Sequence, residues 1–491
     1  MFNNLLKGAA WSVGLAWLSR FIGLFSVIIV ARILTPEDYG IVAIAMIVMH
    51  FIQNLSSAGT SQYLIQKTNL DADDIRTSWT LLILFRAFYC AALFLASGQL
   101  SIYFNEPRLE PVFQVLSIVP MFDAVKNIGL FLEEKKINYR PVFMLGLSRK
   151  VIGFAVSVTL ALNGFNYWSL IYGEVIGCVV FALCSYIYLP VERNYLKPTL
   201  VNVKFQFSFY SWSFLQVFIG FTKSKIDGLL MAKYVGSSGM GEYHLSSSLA
   251  DMPSNELATP ITRPLYAGLA QHESDSPQQI QLAYKSLAAM SLIVFFLSLL
   301  LASTSEEIVS ILLGEKWSAI PAVVSILSTA YALYASGTIL QRLLTVQAKV
   351  KLVFYLDCIS FIVIFAIIGY AAIEFKTLLA ISYGRLLSSS IVLFITIGFT
   401  AQYTKMRFLL ALQATLPSLV VGVLSYFVTC YVFTFIDAFV FIILITKFVL
   451  YTIIFMLGMY AWSYFRRFQN YELFFVSNMW LFALKKVNKG R

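Results

Sequence analysis

Arginines and lysines stand inside long apolar runs of this 491-residue chain, where a charge persists only against water, a counter-charge or a bound anion. Arg20, Arg86, Lys223, Arg385 and Lys447 fall deep in such runs, and so do the acids Glu174, Asp227, Asp251 and Asp357. A charge at the middle of a membrane-crossing helix costs about 3 kcal/mol on insertion scales, so several of them erode insertion unless they face a polar cavity or one another. Lys126, Lys225, Arg149, Lys150, Arg263 and Arg342 lie nearer the ends of their runs, where long stems let roughly half of them snorkel to the head groups. Lys223 with Asp227, and Asp123 with Lys126, are spaced so that each pair can neutralise itself on its own helix. Bases still outnumber acids after those subtractions, and a cavity of that sign favours an anionic head group over a cation. Arg20, Arg86, Lys223 and Arg385 are the candidate anion-binding residues. Asp227, Glu174 and Asp357 are the candidate ion-coupling acids.

Polar residues also recur at helical spacing. Ser213, Gln216, Gly220, Lys223 and Asp227 share one face, as do Ser12, Ala16, Ser19, Gly23 and Ser26 with Arg20 beside them. His244, Ser248, Asp251, Asn255 and Thr262 make another stripe, matched by His50, Asn54, Ser57 and Ser61. Small and polar stripes serve helix packing as readily as cavity lining, and the Ser and Gly positions are open to both readings. Ser19, His50, Asn54, Gln216, His244, Asp251 and Asn255 are the candidate polar lining of a cavity. Other chemistry lacks its motifs. No G-x-x-x-x-G-K-[ST] loop is present, GSSGMG at Gly236 lacks the lysine and the preceding strand, and three histidines without H-E-x-x-H suggest no metal site. The five cysteines show no paired spacing and sit in or near apolar runs, as small core fillers. No cofactor and no catalytic group are expected.

The elements carrying these residues follow from composition. The chain is 59% hydrophobic and 12% charged, with a mean hydropathy of +0.77, far too apolar for a soluble protein of its length. An all-α polytopic membrane protein is expected. The net charge of +11 is not gathered on a polar domain with interleaved aromatics, so nucleic acid is a poor partner. Apolar runs of about 20 residues begin near Trp11, Gly40, Trp79, Pro111, Val142, Tyr167, Phe207, Met240, Ala288, Pro321, Val353, Leu378, Leu409 and Ala438, about fourteen spans, of which those near Phe207 and Met240 are the most polar. The first run lacks a cleavage site and reads as a retained span. Lys and Arg collect in alternate loops, at Lys135, Lys136 and Arg140, at Arg193, Lys197 and Lys204, at Lys349 and Lys351, at Lys405 and Arg407, and in the tail. The other loops hold little more than Arg32, Arg108, Lys233, Lys316 and Lys376, which puts both termini in the cytoplasm.

The segment ARILTPEDYG at Ala31 has a worn copy, AKYVGSSGMG, at Ala232. The offset of 201 pairs Trp11 with Trp212, Ala31 with Ala232, Arg32 with Lys233, Gly40 with Gly241 and Asn54 with Asn255, and it drifts to about 210 where PVFML at Pro141 echoes LVFYL at Leu352. Two parallel-repeat six-helix lobes are expected over residues 1–200 and 201–402, then two additional helices over 403–465 and a basic cytoplasmic tail over 466–491. Such repeats form transporters with a substrate cavity between lobes.

With A-R-I-L-T-P-E-D-Y-G after the first span and the duplicated lobes with two trailing spans, the chain resembles the polysaccharide-transporter branch of the multidrug/oligosaccharidyl-lipid/polysaccharide flippase superfamily. The resemblance implies a flippase that moves undecaprenyl-pyrophosphate-linked oligosaccharide from the cytoplasmic to the periplasmic leaflet of the bacterial inner membrane, for exopolysaccharide or lipopolysaccharide. Its partners would be the lipid-linked oligosaccharide, membrane lipids, and the polysaccharide polymerase and export machinery. Arg32 matches the family segment, though at a helix end it can equally anchor the turn. A multidrug or cation antiporter of the same superfamily is the alternative, with Asp227, Asp251, Glu174 and Asp357 as its acids. A membrane glycosyltransferase or polymerase would need a large outer loop, and none is present.

Overall fold

The structure, a computed structural model, describes residues 18–465 apart from 19, 20, 24, 27, 58–62, 65, 66, 68, 69, 137, 190–196, 202, 437 and 438. Its regular elements are helices throughout the described residues. Two compact units divide the chain, Met1–Gly241 and Glu242–Arg491. Ten helices among the described residues are long and apolar enough to cross a membrane, and an eleventh span is a bent pair. The expected spans at Trp11 and Ala438 begin outside the described residues.

The first unit holds α1 (Pro36–Ser57), α2 (Ala72–Tyr103), α3 (Leu109–Leu116), α4 (Val119–Ala124), α5 (Gly129–Lys135), α6 (Arg140–Leu162), α7 (Trp168–Tyr188) and α8 (Val203–Tyr234). α2 starts well before Trp79 because Asp71 and Asp74 close a capping box at its N-terminus, which satisfies two otherwise orphaned amides. The expected span at Pro111 is not one helix. Pro120 lacks the amide that would continue α3 into α4, and α3–α4 meet α5 at 57° across residues 125–128. The backbone freed by that break is satisfied locally. Asn127 Oδ1 accepts from the Gly129 amide (2.9 Å), Ser185 Oγ accepts from the Asn127 amide (2.9 Å), and the Tyr186 hydroxyl donates to the Val125 carbonyl (2.5 Å). Irregular backbone at this depth is tolerated only with such substitutes.

α9 (Ser237–Ala250) opens on a close crossing with α1. A Cβ on Gly40 would overlap the Ser237 carbonyl, and one on Gly241 would overlap the Pro36 carbonyl. Ser237 and Gly241 are the repeat equivalents of Pro36 and Gly40 at the same 201-residue offset, so the contact is its own mirror in the repeat. Beside it Arg108 pairs with Glu37 and with Glu106 (2.8 Å), and Lys233 donates to the Tyr103 carbonyl. The hydrogen bond from the Arg108 guanidinium holds the Glu106 carboxyl below its ordinary value, against the opposing effect of burial.

The second unit continues through a π-helical turn (Met252–Ala258), α10 (Thr259–Ala270), α11 (Pro277–Ser303), α12 (Ser305–Leu312), α13 (Ile320–Val346), α14 (Val350–Glu374), α15 (Leu378–Tyr403), α16 (Phe408–Phe433) and α17 (Val440–Phe465). Pro253, which cannot donate to an α-helical partner, lies inside the π turn. α11 and α13 form the core, with Leu287, Val294, Phe295 and Leu340 fully enclosed. α14, α16 and α17 turn Ile362, Phe427, Phe441 and Leu457 outward, as lipid-facing helices do. At one end Asp275 accepts from the Gln347 amide (3.1 Å), Lys349 Nζ (3.3 Å) and the Lys405 amide (3.1 Å). Two loops that the charge bias assigns to one side, at Lys349 and Lys405, therefore meet at one end of this unit on Asp275 of a third.

Candidate functional site

Five charged residues of the first unit gather around the broken span. Arg86, on α2, is 2% exposed, and its Nη1 lies 2.6 Å from Asp123 Oδ2. Asp123 is the next-to-last residue of α4 before the break, and Lys126 follows within it, with Nζ 3.2 Å from Asp123 Oδ1. The break thus puts one carboxylate between two bases. The Arg86 Nε has no hydrogen-bond partner, and an orphaned donor on a buried cation is costly.

A second pair stands beside the first. Arg149 of α6 reaches Glu174 of α7, with Nη2 2.5 Å from Oε1. The reason is a close backbone crossing. Glu174 lies inside the sequence GEVIG, and Cβ atoms on Gly173 or Gly177 would press on the Gly153 and Arg149 carbonyls, so only glycine lets α7 approach α6 this closely. The Cys178 thiol donates weakly to Glu174 (3.6 Å). The Phe181 ring links both pairs, its centroid 5.8 Å from Lys126 Nζ and 6.0 Å from the Arg149 guanidinium. His50 of α1 stands within electrostatic range of Glu174, Arg149, Lys150 and Lys225. Three bases and two acids thus share one membrane-embedded cluster with a surplus of positive charge, which suits a polyanion.

Of the residues expected from sequence, Arg86 and Glu174 belong to this cluster, while His50 is exposed on α1. Lys223 and Asp227 are buried on α8, at 5% and 3% exposure, while Gln216 on the same helix and Asn54 on α1 are exposed. Asn54 donates to the His50 carbonyl (2.7 Å). His244 lies on α9, where its carbonyl accepts from Ser247 (3.0 Å) and Ser248 (2.8 Å), and Asn255 in the π turn donates to Asp251 (2.5 Å). Arg385, in the second unit, is 4% exposed with its guanidinium 5.7 Å from the Tyr331 ring, and Asp357 accepts from Gln341 at 3.5 Å. Arg20 and Ser19 lie outside the described residues.

Sequence reasoning placed Lys126 and Arg149 at span ends as candidates for snorkelling. Both instead point into the cluster, because the break after Asp123 and the glycine crossing at Gly173 turn them inward. The signal was present as G-x-x-x-G with an acid inside it.

Comparison with known proteins agrees with this architecture. Residues 29–322 match the family described as Polysaccharide biosynthesis protein. The lipopolysaccharide biosynthesis protein WzxC of Escherichia coli K12 is 24% identical over 434 residues, covering 86% of this chain and 87% of that protein. The succinoglycan biosynthesis transport protein ExoT of Rhizobium meliloti is 22% identical over 320 residues, 64% of each chain. Among solved structures, the lipid II flippase MurJ in an inward closed conformation superposes with a TM-score of 0.73 at 13% identity, over 93% of this chain and 99% of its own. An inward-facing multidrug resistance MATE transporter gives 0.63 at 12% identity, over 78% and 94%. The helical membrane fold is the one seen in MurJ, and with a family match over more than half its length the chain belongs to the polysaccharide biosynthesis protein family.

Proposed function

We propose that the chain translocates undecaprenyl-pyrophosphate-linked oligosaccharide repeat units from the cytoplasmic to the periplasmic leaflet of the bacterial inner membrane, for surface polysaccharide or lipopolysaccharide assembly. The observation that carries this reading is the cluster of buried Arg86 with half-buried Lys126 and Arg149 at a broken span. A pyrophosphate crosses hydrocarbon only if its hydration is replaced, and charge-assisted hydrogen bonds from arginine supply that replacement in a water-poor site. Discontinuous spans recur at the binding sites of transporters because their free backbone and terminal dipoles are available to a substrate. The named roles of WzxC and ExoT in polysaccharide production support the same substrate class.

In this reading Lys223, Arg385 and Arg20 add positive charge along the path. His50, Asn54, Gln216, His244, Asp251, Asn255 and Ser19 hydrogen-bond the sugars, and the polyprenyl tail stays in lipid. Asp227, Glu174 and Asp357 are the acids that would serve ion coupling. Both termini are cytoplasmic, residues 1–200 and 201–402 are the repeated lobes, and 403–465 and the 466–491 tail are additions to them. The chain works as a translocase and not an enzyme, beside a polymerase and export machinery that use its product. The antiporter reading is weaker because the cluster's acids are already paired with bases and its surplus is positive.

Deletion of the gene in its host tests the proposal. Lipid-linked oligosaccharide should accumulate facing the cytoplasm and surface polymer should fall. Wild-type protein should restore both, and Arg86→Gln, at equal membrane abundance, should restore neither. Normal polymer and normal lipid intermediates in the deletion strain would overturn the flippase assignment.

A further inference from the structure

The two carboxylates of the cluster have no role in a site that only attracts anions. Asp123 takes one oxygen to Arg86 (2.6 Å) and the other to Lys126 (3.2 Å), and Glu174 takes Arg149 (2.5 Å). A fixed structural pair would be expected to satisfy its donors, yet the Arg86 Nε, fully buried, has no partner and Asp123 does not fill it. The pairing is serviceable and incomplete. Asp123 is also the next-to-last residue of α4, immediately ahead of the break at residues 125–128, so its side chain sits where the helix is already interrupted.

We propose that Asp123 and Glu174 are displaceable counter-anions that occupy, in the empty transporter, the places that the two phosphates of the substrate take in the loaded one. This inference rests on the flippase reading and assigns residues to its site. A diphosphate diester carries two negative charges, the same as two carboxylates, so the exchange leaves the charge against Arg86, Lys126 and Arg149 unchanged. That equality has a physical consequence. A carrier whose cationic cluster lost its anion on release would face the desolvation cost of one buried and two half-buried unpaired bases on its return across the membrane. With the carboxylates swinging in as the diphosphate leaves, the empty cluster stays compensated. While the diphosphate is bound they turn out toward water, and Arg86 gains through Nε a hydrogen bond that Asp123 leaves unmade.

The prediction is opposite in sign for binding and for turnover. Purified full-length protein in nanodiscs is titrated with undecaprenyl pyrophosphate, with phosphatidylglycerol vesicles as the control for any anionic lipid. Asp123→Asn and Glu174→Gln should each bind the diphosphate lipid about tenfold or more tightly than wild type, because the internal competitor is gone, yet export more slowly in the deletion strain. Arg86→Gln should lose binding. If Asp123→Asn and Glu174→Gln bind as wild type or more weakly while Arg86→Gln loses binding, the counter-anion role is overturned and the cationic site stands. Wild-type affinity in both Arg86→Gln and Arg149→Gln would remove the site itself. An equal gain for phosphatidylglycerol would overturn the match to a diphosphate. Should a variant be too unstable to purify alone, undecaprenyl pyrophosphate is added during extraction: recovery of folded protein supports the proposal, and no recovery counts against it.

Discussion

Lys447 shows how one charge deep in lipid is made tolerable. On α17 it meets Glu307 of α12 at 2.6 Å, both 7% exposed, with the Phe433 ring 5.8 Å from its ammonium. The pair ties the last helix to a short helix after α11, and Glu307 Oε2 has no hydrogen bond of its own. A buried pair of this kind adds little over apolar packing, whereas a lone member is expensive. Lys447→Met should therefore lower stability by about 3–5 kcal/mol, and adding Glu307→Leu should recover most of it. Thermal unfolding in lipid nanodiscs checks this, and additive losses in the double variant would mean the two residues are independently hydrated. The same logic reads Arg149, whose stem is long enough to snorkel; it stays inside because Glu174 is held against it by glycines.

Helix crossings carry the next level of control. At the start of α1 and α9 the backbones touch through Gly40 and Gly241, each lying where any side chain would strike the other segment's carbonyl. Gly40→Val or Gly241→Val should cost about 1–3 kcal/mol or more, as overpacking does, and should impair export more than protein level. Gly369, in the last two turns of α14 with open space where a Cβ would stand, is the contrast. Gly369→Ala should be neutral or stabilising by up to about 1 kcal/mol, since alanine is the better helix former. Equal effects at all three positions, measured by thermal unfolding, would show that the crossing is not a tight contact. Near this crossing the Glu106 carboxyl is depressed by Arg108. A depressed acid stabilises the fold above its unfolded value, near 4.5, and that contribution fades as pH falls through the lower folded value.

Within each unit, loops gather at one end. Asp275 gathers Gln347, Lys349 and Lys405 at one end of the second unit, and Arg108 and Lys233 share one end of the first. Reporter fusions should place residues 271–276, 347–349 and 404–407 in the cytoplasm, and 304–319 and 375–377 in the periplasm. A reversed or broken alternation would refute the fourteen-span reading with cytoplasmic termini.

What the sequence determined by itself was whatever depends on local composition. Apolar run length gave helices close to the expected starts at Val142, Tyr167, Pro321, Leu378 and Leu409, and the offset of 201 marked Gly40 and Gly241 as a pair. Solvent preference is additive along the chain, so span positions are legible in order. Asp123 with Lys126 was legible from their spacing of three, although the structure puts Lys126 in the break and not on the helix of Asp123. Tertiary structure alone decided that Arg86 joins them, that Arg149 turns inward to Glu174, and that Lys447 finds Glu307. Each of those pairings joins residues far apart in sequence, and its energy exists only once packing removes water and brings the two charges together. The broken span was not legible, since the apolar run from Pro111 reads as one span; Asn127, Ser185 and Tyr186 had to meet in space before the freed backbone could be satisfied.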